Sequence, residues 1–548
     1  MKHYLQKIFS GFLTLAVLLA YVGCSYHQED DGTGYLFTCE LSGNPACLDP
    51  QYTENFNAFP VMTNMMEGLF RLDSEGNAIL AEAEDYIVSD DGLQYRFTLK
   101  DNCYWYGVDM DSENPLPVTA EDYVFAFQRL VDPAMRSPYS EKVSFLKNAD
   151  KIIAGKADAQ SLGVFALNDK TIEFELEKPN PEFFQILAQS YAVPCNEQFF
   201  RSSKGRYGLD EKTILSNGAF YLTKWNYDQY SNGNFITLKK NKLYYDADSV
   251  SPSSLQFNIS HSKTEAEQNF ANGNSDVILT DIYPKDYFNS TKYTVKESRN
   301  ITLGLIFNPK HNLLKNDKLR QALACSINRT ALNPIVSEDI EPACGLIAPA
   351  VTMLGRSYRE LYADEPLAMP YDPVTASKLF DRASAELGLN SMNSVQIMVS
   401  SNIRDTDALL AICQEWQNIF GYYIGIETVS PDEYQRRLSE GEYSIALWGF
   451  TPDRNSCYAS LEEFASNSDL LEFQSNYFST LLDTLSTANK VADSVNLYGT
   501  AEQTAINTHV FIPLFYKNSY LIYTSVNTNI DFNPFSGAIL FRNARHFS

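Results

Sequence analysis

The chain has 548 residues, 44% of them hydrophobic and 20% charged, with a net charge of -25 at pH 7. That length exceeds what one hydrophobic core can serve and calls for two or three domains. The excess of acid and the lack of a Lys/Arg block exclude nucleic acid as a partner, because a polyanion needs a basic face, and acidity of this size favours solubility instead.

At the N-terminus, Lys2 and Lys7 bracket the entry to an apolar run over 8–22. The run is shorter than a membrane span and fits the core of a signal peptide. It ends in Val22-Gly23-Cys24-Ser25, which is similar to a bacterial lipoprotein cleavage site except that Tyr21 stands where Leu is usual. The expectation is a leader over 1–23 and lipidation of Cys24; a plain secretory signal is the alternative. Residues 24–35 are polar and Gly-containing, as a tether would be. The other eight cysteines form no Cys-x-x-Cys pair, which argues against a zinc or redox motif. Cys39 and Cys47 are near enough in sequence to bridge, although spacing does not fix pairing, and Cys325 and Cys413 sit in apolar helical patterns as buried thiols.

Strand-like and helix-like stretches then alternate, as in an α/β protein. A period-two strand is expected over 95–99, after the turn Asp90-Asp91-Gly92. Thr119 and Asp122 predict a capped helix with Tyr123, Phe127, Leu130 and Val131 on one face and a stop at Asp132-Pro133. Further strands are expected over 171–176, 236–238 and 395–399, and helices over 317–332, 373–387 and 406–419. There is no internal repeat and no low-complexity tract.

Several short motifs occur in a fixed order: Leu48-Asp49-Pro50, Glu67-Gly68-Leu69, the helix just described, Ser137-Pro138-Tyr139, the stretch from Leu162 to Thr171, and Asn217-Gly218-Ala219-Phe220. Asn241-Lys242-Leu243-Tyr244-Tyr245, Arg320-Gln321-Ala322-Leu323-Ala324 and Ile512-Pro513-Leu514 follow. In this order, from Leu48 to the C-terminus, the chain resembles the oligopeptide-binding proteins of peptide ABC importers, extracellular solute-binding protein family 5. The resemblance implies an α/β, two-lobed periplasmic-binding-protein-like fold with an extra small domain, of the class II, cluster C type. It implies a discontinuous first lobe over 36–66, 195–299 and 519–548, an extra domain over 67–194, and a second lobe over 300–518. The implied function is extracytoplasmic capture of short peptides in an interlobe cleft and delivery to a membrane permease, by a lipid-anchored monomer with no cofactor, metal or catalytic residue.

The resemblance also implies site residues. Gly449-Phe450-Thr451-Pro452-Asp453-Arg454-Asn455 aligns with a family stretch whose Asp binds the peptide amino terminus, making Asp453 the first candidate; an Asp after a Pro is also an ordinary turn residue. Asn455 belongs to the same stretch. Glu54, Asn55 and Phe56 stand at the spacing of a segment that contacts the peptide backbone, and Tyr139 matches a cleft tyrosine. Trp448 and Phe450 are cleft candidates that fit the core equally well. Asn300 and Thr451 replace the cysteines of a disulfide found in some relatives, and Leu438 and Leu447 replace the arginines expected for the peptide carboxylate. Arg404 and Arg437 are nearby substitutes.

A secreted hydrolase is the rival from another class. The chain has six histidines and neither a Gly-x-Ser-x-Gly nor a His-Glu-x-x-His motif. The acidic pair Glu462-Glu463 reads as a solvated helix face rather than a catalytic dyad. The nearer rival keeps the fold and changes the ligand to a signalling peptide, a sugar or a metal chelate.

Overall fold

A computed structural model describes residues 34–73, 76–333, 335–336, 338–362, 367–403, 406–466, 475–486 and 491–547. The leader, Cys24 and Arg404 lie outside these residues.

An 11-stranded sheet runs through both lobes. On one side, Leu36–Leu41 pairs in parallel with Ser254–Ile259 and Val277–Thr280. On the other, Gln396–Ser400 pairs in parallel with Gly425–Val429 and Ile445–Phe450. Two long strands, Tyr293–Phe307 and Phe511–Thr524, join these units and pair antiparallel from Tyr293↔Thr524 to Ile306↔Phe511. Their register breaks between Ser298 and Ile301. A bulge unpairs the ladder locally and increases twist, so the two crossing strands bend where they pass between the lobes. Asn300 lies inside that bulge; its amide donates to the Pro534 carbonyl at 2.5 Å and its oxygen accepts from the Ser519 hydroxyl at 2.8 Å.

Separate cores follow from this division. Phe37, Met62, Phe220, Phe257 and Phe541 pack together on the first side. Beyond the crossing strands, Leu305 and Phe307 face a core with Trp416, while Ile306 faces another with Tyr358 and Phe464. Alternation along one strand thus feeds two cores on opposite faces of the sheet.

A third body carries its own four-stranded antiparallel sheet, in the order Ala83–Val88, Gln94–Leu99, Thr171–Glu175, Val164–Asn168. The helix Ala120–Val131 packs on it and buries Tyr123, Phe127 and Leu130 completely. Each such side chain contributes about 1.5–3 kcal/mol. Asp122 accepts from the Thr119 N–H at 2.9 Å, as the sequence predicts for the cap, and also from the Trp105 indole at 3.0 Å.

The expected helices over 373–387 and 406–419 are found as Pro373–Leu387 and Asp407–Phe420. The run 317–332 is not one helix. It breaks into Asp317–Cys325 and Arg329–Leu332, because the Asn328 side chain accepts from the Ala331 N–H and starts a new turn. Cys39 and Cys47 are not bridged: both are free thiols, donating to the carbonyls of Glu40 and Tyr207. Cys325 and Cys413 are buried thiols, as expected.

Candidate functional site

A cavity of about 460 Å³ opens where the three bodies meet. Its lining includes Glu54, Phe56 and Phe59 from the first lobe, Tyr139, Lys142 and Tyr191 from the small domain, and Thr451, Asp453 and Glu463 from the second lobe. Of the residues anticipated from sequence, Glu54, Phe56, Tyr139 and Asp453 come together on this wall.

The loop before Glu54 is held from the small domain. The Tyr139 hydroxyl donates to the Thr53 carbonyl at 2.6 Å, and the Ser137 hydroxyl donates to the Gln51 carbonyl at 2.6 Å. Phe56 lies against Gly537, where an added Cβ would sit 2.8 Å from its ring; with φ at +69° this position suits glycine on both counts. The backbone N–H and C=O groups of Glu54 and Phe56 make no hydrogen bond among the described residues. Unspent backbone groups on a cavity wall are what a ligand's own backbone would pair with.

Asp453 follows the strand Ile445–Phe450 and turns back toward the small domain. Its Oδ1 accepts from Arg454 at 2.7 Å; its Oδ2 accepts from the Tyr191 hydroxyl at 3.3 Å and lies 3.9 Å from the Lys142 ammonium. Burial pushes the Asp453 carboxyl up, but Arg454 and then Lys142 outweigh it and hold the group below the usual carboxylate value. Lys142 is opposed by burial and yet stays charged well above the ordinary lysine range, because Asp453, Glu462 and Glu463 surround it. Arg454, only 2% exposed, also reaches Glu182 of the small domain at 2.8 Å and Glu462 at 3.2 Å.

Lys142, Tyr191, Arg454 and Glu463 were not anticipated from sequence. The only local signal was the position of Lys142, three residues after the Ser137-Pro138-Tyr139 motif. Glu462 and Glu463 are not a solvated face. Both reach the Lys142 ammonium, at 3.3 and 2.9 Å, because it enters the flank of their helix from another body.

Other anticipated residues stand elsewhere. Phe450 is core, and Trp448 stacks on it at 5.4 Å and meets Phe511 edge-on. A central strand is buried on both faces, so aromatic character does not select the cleft side. The Asn455 side chain is spent on Thr352, accepting from its N–H and donating to its hydroxyl, both at 2.8 Å. Asn55 turns inward to accept from the Asn57 N–H at 2.9 Å. Arg437 pairs with Glu427 at 2.8 Å in a different cavity, beside His311 and Ser444.

The cavity also holds Lys263, paired at 2.7 Å with Asp281, whose other oxygen lies 3.0 Å from Lys517. Two ammonium groups hold Asp281 well below its usual range despite burial.

The sequence profile of the bacterial extracellular solute-binding proteins, family 5, matches residues 78–471. Dipeptide-binding protein DppE of Bacillus subtilis is 24% identical over 532 residues, which cover 94% of each chain. The substrate-binding domain of an oligopeptide ABC transporter from Bacillus anthracis superposes with a TM-score of 0.80 at 24% identity, covering 94% of this chain and 99% of that one. Listeria monocytogenes OppA bound to peptide gives a TM-score of 0.80 at 22% identity, with the same coverage. The chain belongs to the bacterial extracellular solute-binding proteins, family 5.

Proposed function

We propose that this protein captures short peptides in the cavity between its lobes and delivers them to the permease of an ABC importer. The observation that carries this reading is the pairing, on one cavity wall, of the Asp453 carboxylate with the unspent backbone of Glu54 and Phe56. A peptide offers a cationic amine and a hydrogen-bonding backbone, and this wall offers a partner for each. Relatives named as dipeptide- and oligopeptide-binding proteins agree with it. Asp453 is the amine acceptor in this reading, Tyr139 and Phe56 shape the cleft, and Lys142 and Arg454 keep Asp453 ionised. The protein acts as a binding subunit rather than an enzyme, as a monomer held outside the cytoplasmic membrane by lipid on Cys24.

The division into a first lobe over 36–66, 195–299 and 519–548, a small domain over 67–194 and a second lobe over 300–518 belongs to the same proposal. It is supported by the separate cores and by the bulge at Ser298–Ile301. Binding would then draw the lobes together, since only the closed form contacts the ligand from both sides.

The test compares a free-amine tripeptide with its N-acetylated form on wild-type protein and Asp453→Ala. A charged hydrogen bond contributes about 1.5–3 kcal/mol, so the variant should lose at least tenfold in affinity (about 1.4 kcal/mol) for the free amine and little for the acetylated peptide. Equal losses for both would remove Asp453 from this role. Native mass spectrometry of the purified protein identifies any ligand carried with it, and a non-peptide mass would favour the rival ligand classes.

A further inference from the structure

Among the described residues, the wall beside Asp453 holds more carboxylates than cations. Lys142 is shared among Asp453, Glu462 and Glu463. Arg454 is shared among Asp453, Glu182 and Glu462. Four carboxylates therefore divide two cations before Glu54 is considered. Lys263, on another part of the cavity wall, is already committed to Asp281.

Glu54 is the group left over. Its side chain lines the cavity and makes no hydrogen bond or ion pair among the described residues. Its side chain is exposed to the cavity's solvent, with protein crowded around it. That enclosure raises its pKa, Glu463 raises it further, and Lys142 works the other way. Glu54 and Asp453 both act on the Tyr139 phenol, so the two carboxylates approach the same part of the cavity from different lobes. A ligand with one ammonium satisfies Asp453 and leaves Glu54 uncompensated. A ligand with a second cation near the first satisfies both through charge-assisted hydrogen bonds.

We propose that Glu54 is a second cation acceptor in the cavity, and that the ligand is a peptide carrying a side-chain ammonium or guanidinium near its free amino end. This rests on the peptide reading above and deepens it. The carboxylate of Glu54 takes the side-chain cation and the carboxylate of Asp453 takes the α-amine, so the preference is for charge and not for the length of the apolar stem.

The experiment is calorimetry with Lys-Ala-Ala against norleucine-Ala-Ala, and with Ala-Lys-Ala against Ala-norleucine-Ala, on wild-type protein and Glu54→Gln. Norleucine keeps the stem and removes the ammonium. Wild type should favour the lysine peptide of one pair by about tenfold, and Glu54→Gln should reduce that ratio to within about twofold. Norleucine peptides binding as tightly as lysine peptides in wild type would overturn the proposal. A lysine preference that survives in Glu54→Gln would overturn the assignment to Glu54. The two readings fail differently: none of the four peptides binding removes the peptide function itself, whereas equal binding of all four removes only the second-cation site.

Discussion

Arg129 and Asp49 form a buried ion pair that ties the helix Ala120–Val131 to the loop leading into Glu54. Arg129 also donates to the Gln51 side-chain oxygen at 2.7 Å, and the Gln51 amide donates to the carbonyls of Tyr191 and Val193 at 3.1 and 3.0 Å. The polar face of the helix thus does at the cleft what its aromatic face does in the small-domain core: it fixes backbone. The residues it fixes stop three positions short of Glu54. Preorganising that segment lowers the ordering cost that a ligand would otherwise meet.

Arg129→Met should destabilise the protein by about 3–5 kcal/mol, because it leaves the buried Asp49 carboxylate without its cation, with the Gln51 N–H still donating to it at 3.2 Å. The urea midpoint measures this. A double variant Asp49→Leu/Arg129→Met should recover part of the stability but not all of the peptide affinity, since the helix then no longer holds the loop and only the links from Ser137, Tyr139 and the Gln51 amide remain. Full recovery of affinity would mean that the loop orders itself without the pair.

Gly208 guards the same loop. Its φ is +75°, and an added Cβ would lie 2.6 Å from the Asp49 nitrogen. Gly208→Ala should therefore lower stability by about 1–3 kcal/mol through backbone strain and weaken peptide binding in parallel. Thermal unfolding and calorimetry on one preparation would show whether the two effects travel together.

The helix Ala120–Val131 was legible in the sequence because its cap, its period and its Pro stop are all local. The run 317–332 was misjudged as one helix because Asn328 competes for backbone N–H groups within a pattern that otherwise continues. In the cavity, Glu54, Phe56, Tyr139 and Asp453 were reached through family motifs. Lys142 was not, because its partner Glu463 lies far away in the chain, and Arg454, although inside the stretch from Gly449 to Asn455, was not singled out because its partner Glu182 is also distant. No spacing rule encodes such pairs. Trp448 and Phe450 fitted cleft and core equally because composition marks an aromatic without saying which face of a central strand it leaves by, and the structure places them in the core.

Glu82 gives a pH dependence of known sign. It is fully buried, accepts one hydrogen bond from the Tyr123 hydroxyl at 2.7 Å, and has its other oxygen unpartnered in the described structure. Burial pushes its carboxyl up to about 8. A group whose pKa is raised on folding stabilises the fold fully below its unfolded value, about 4.3 for Glu, and that contribution is lost as pH rises through the folded value. Stability should therefore fall between about pH 4.3 and pH 8. Glu82→Gln, which stays neutral and can still accept from Tyr123, should flatten that fall in a series of urea titrations. An unchanged slope would show that Glu82 is not its source.

Arg454 should hold the lobes against each other. Its three carboxylate partners divide between bodies, Glu182 on the small domain and Asp453 and Glu462 on the second lobe. Ser456 adds a hydrogen bond to Glu182, and Lys178 reaches Asp483 at 2.5 Å across the same boundary. In Arg454→Met these acids face one another across the contact with only Lys142 between them. Parting the lobes returns them to water, so the cost falls on the closed form alone. At about 3–5 kcal/mol for a broken buried pair, the closed-to-open ratio should drop by roughly two to four orders of magnitude. Small-angle scattering should then give a larger radius of gyration for the variant than for wild type without ligand, and saturating free-amine peptide should reverse part of the difference by supplying a cation to Asp453. A radius equal to wild type in both conditions would show that the apolar contacts, not this network, hold the lobes together.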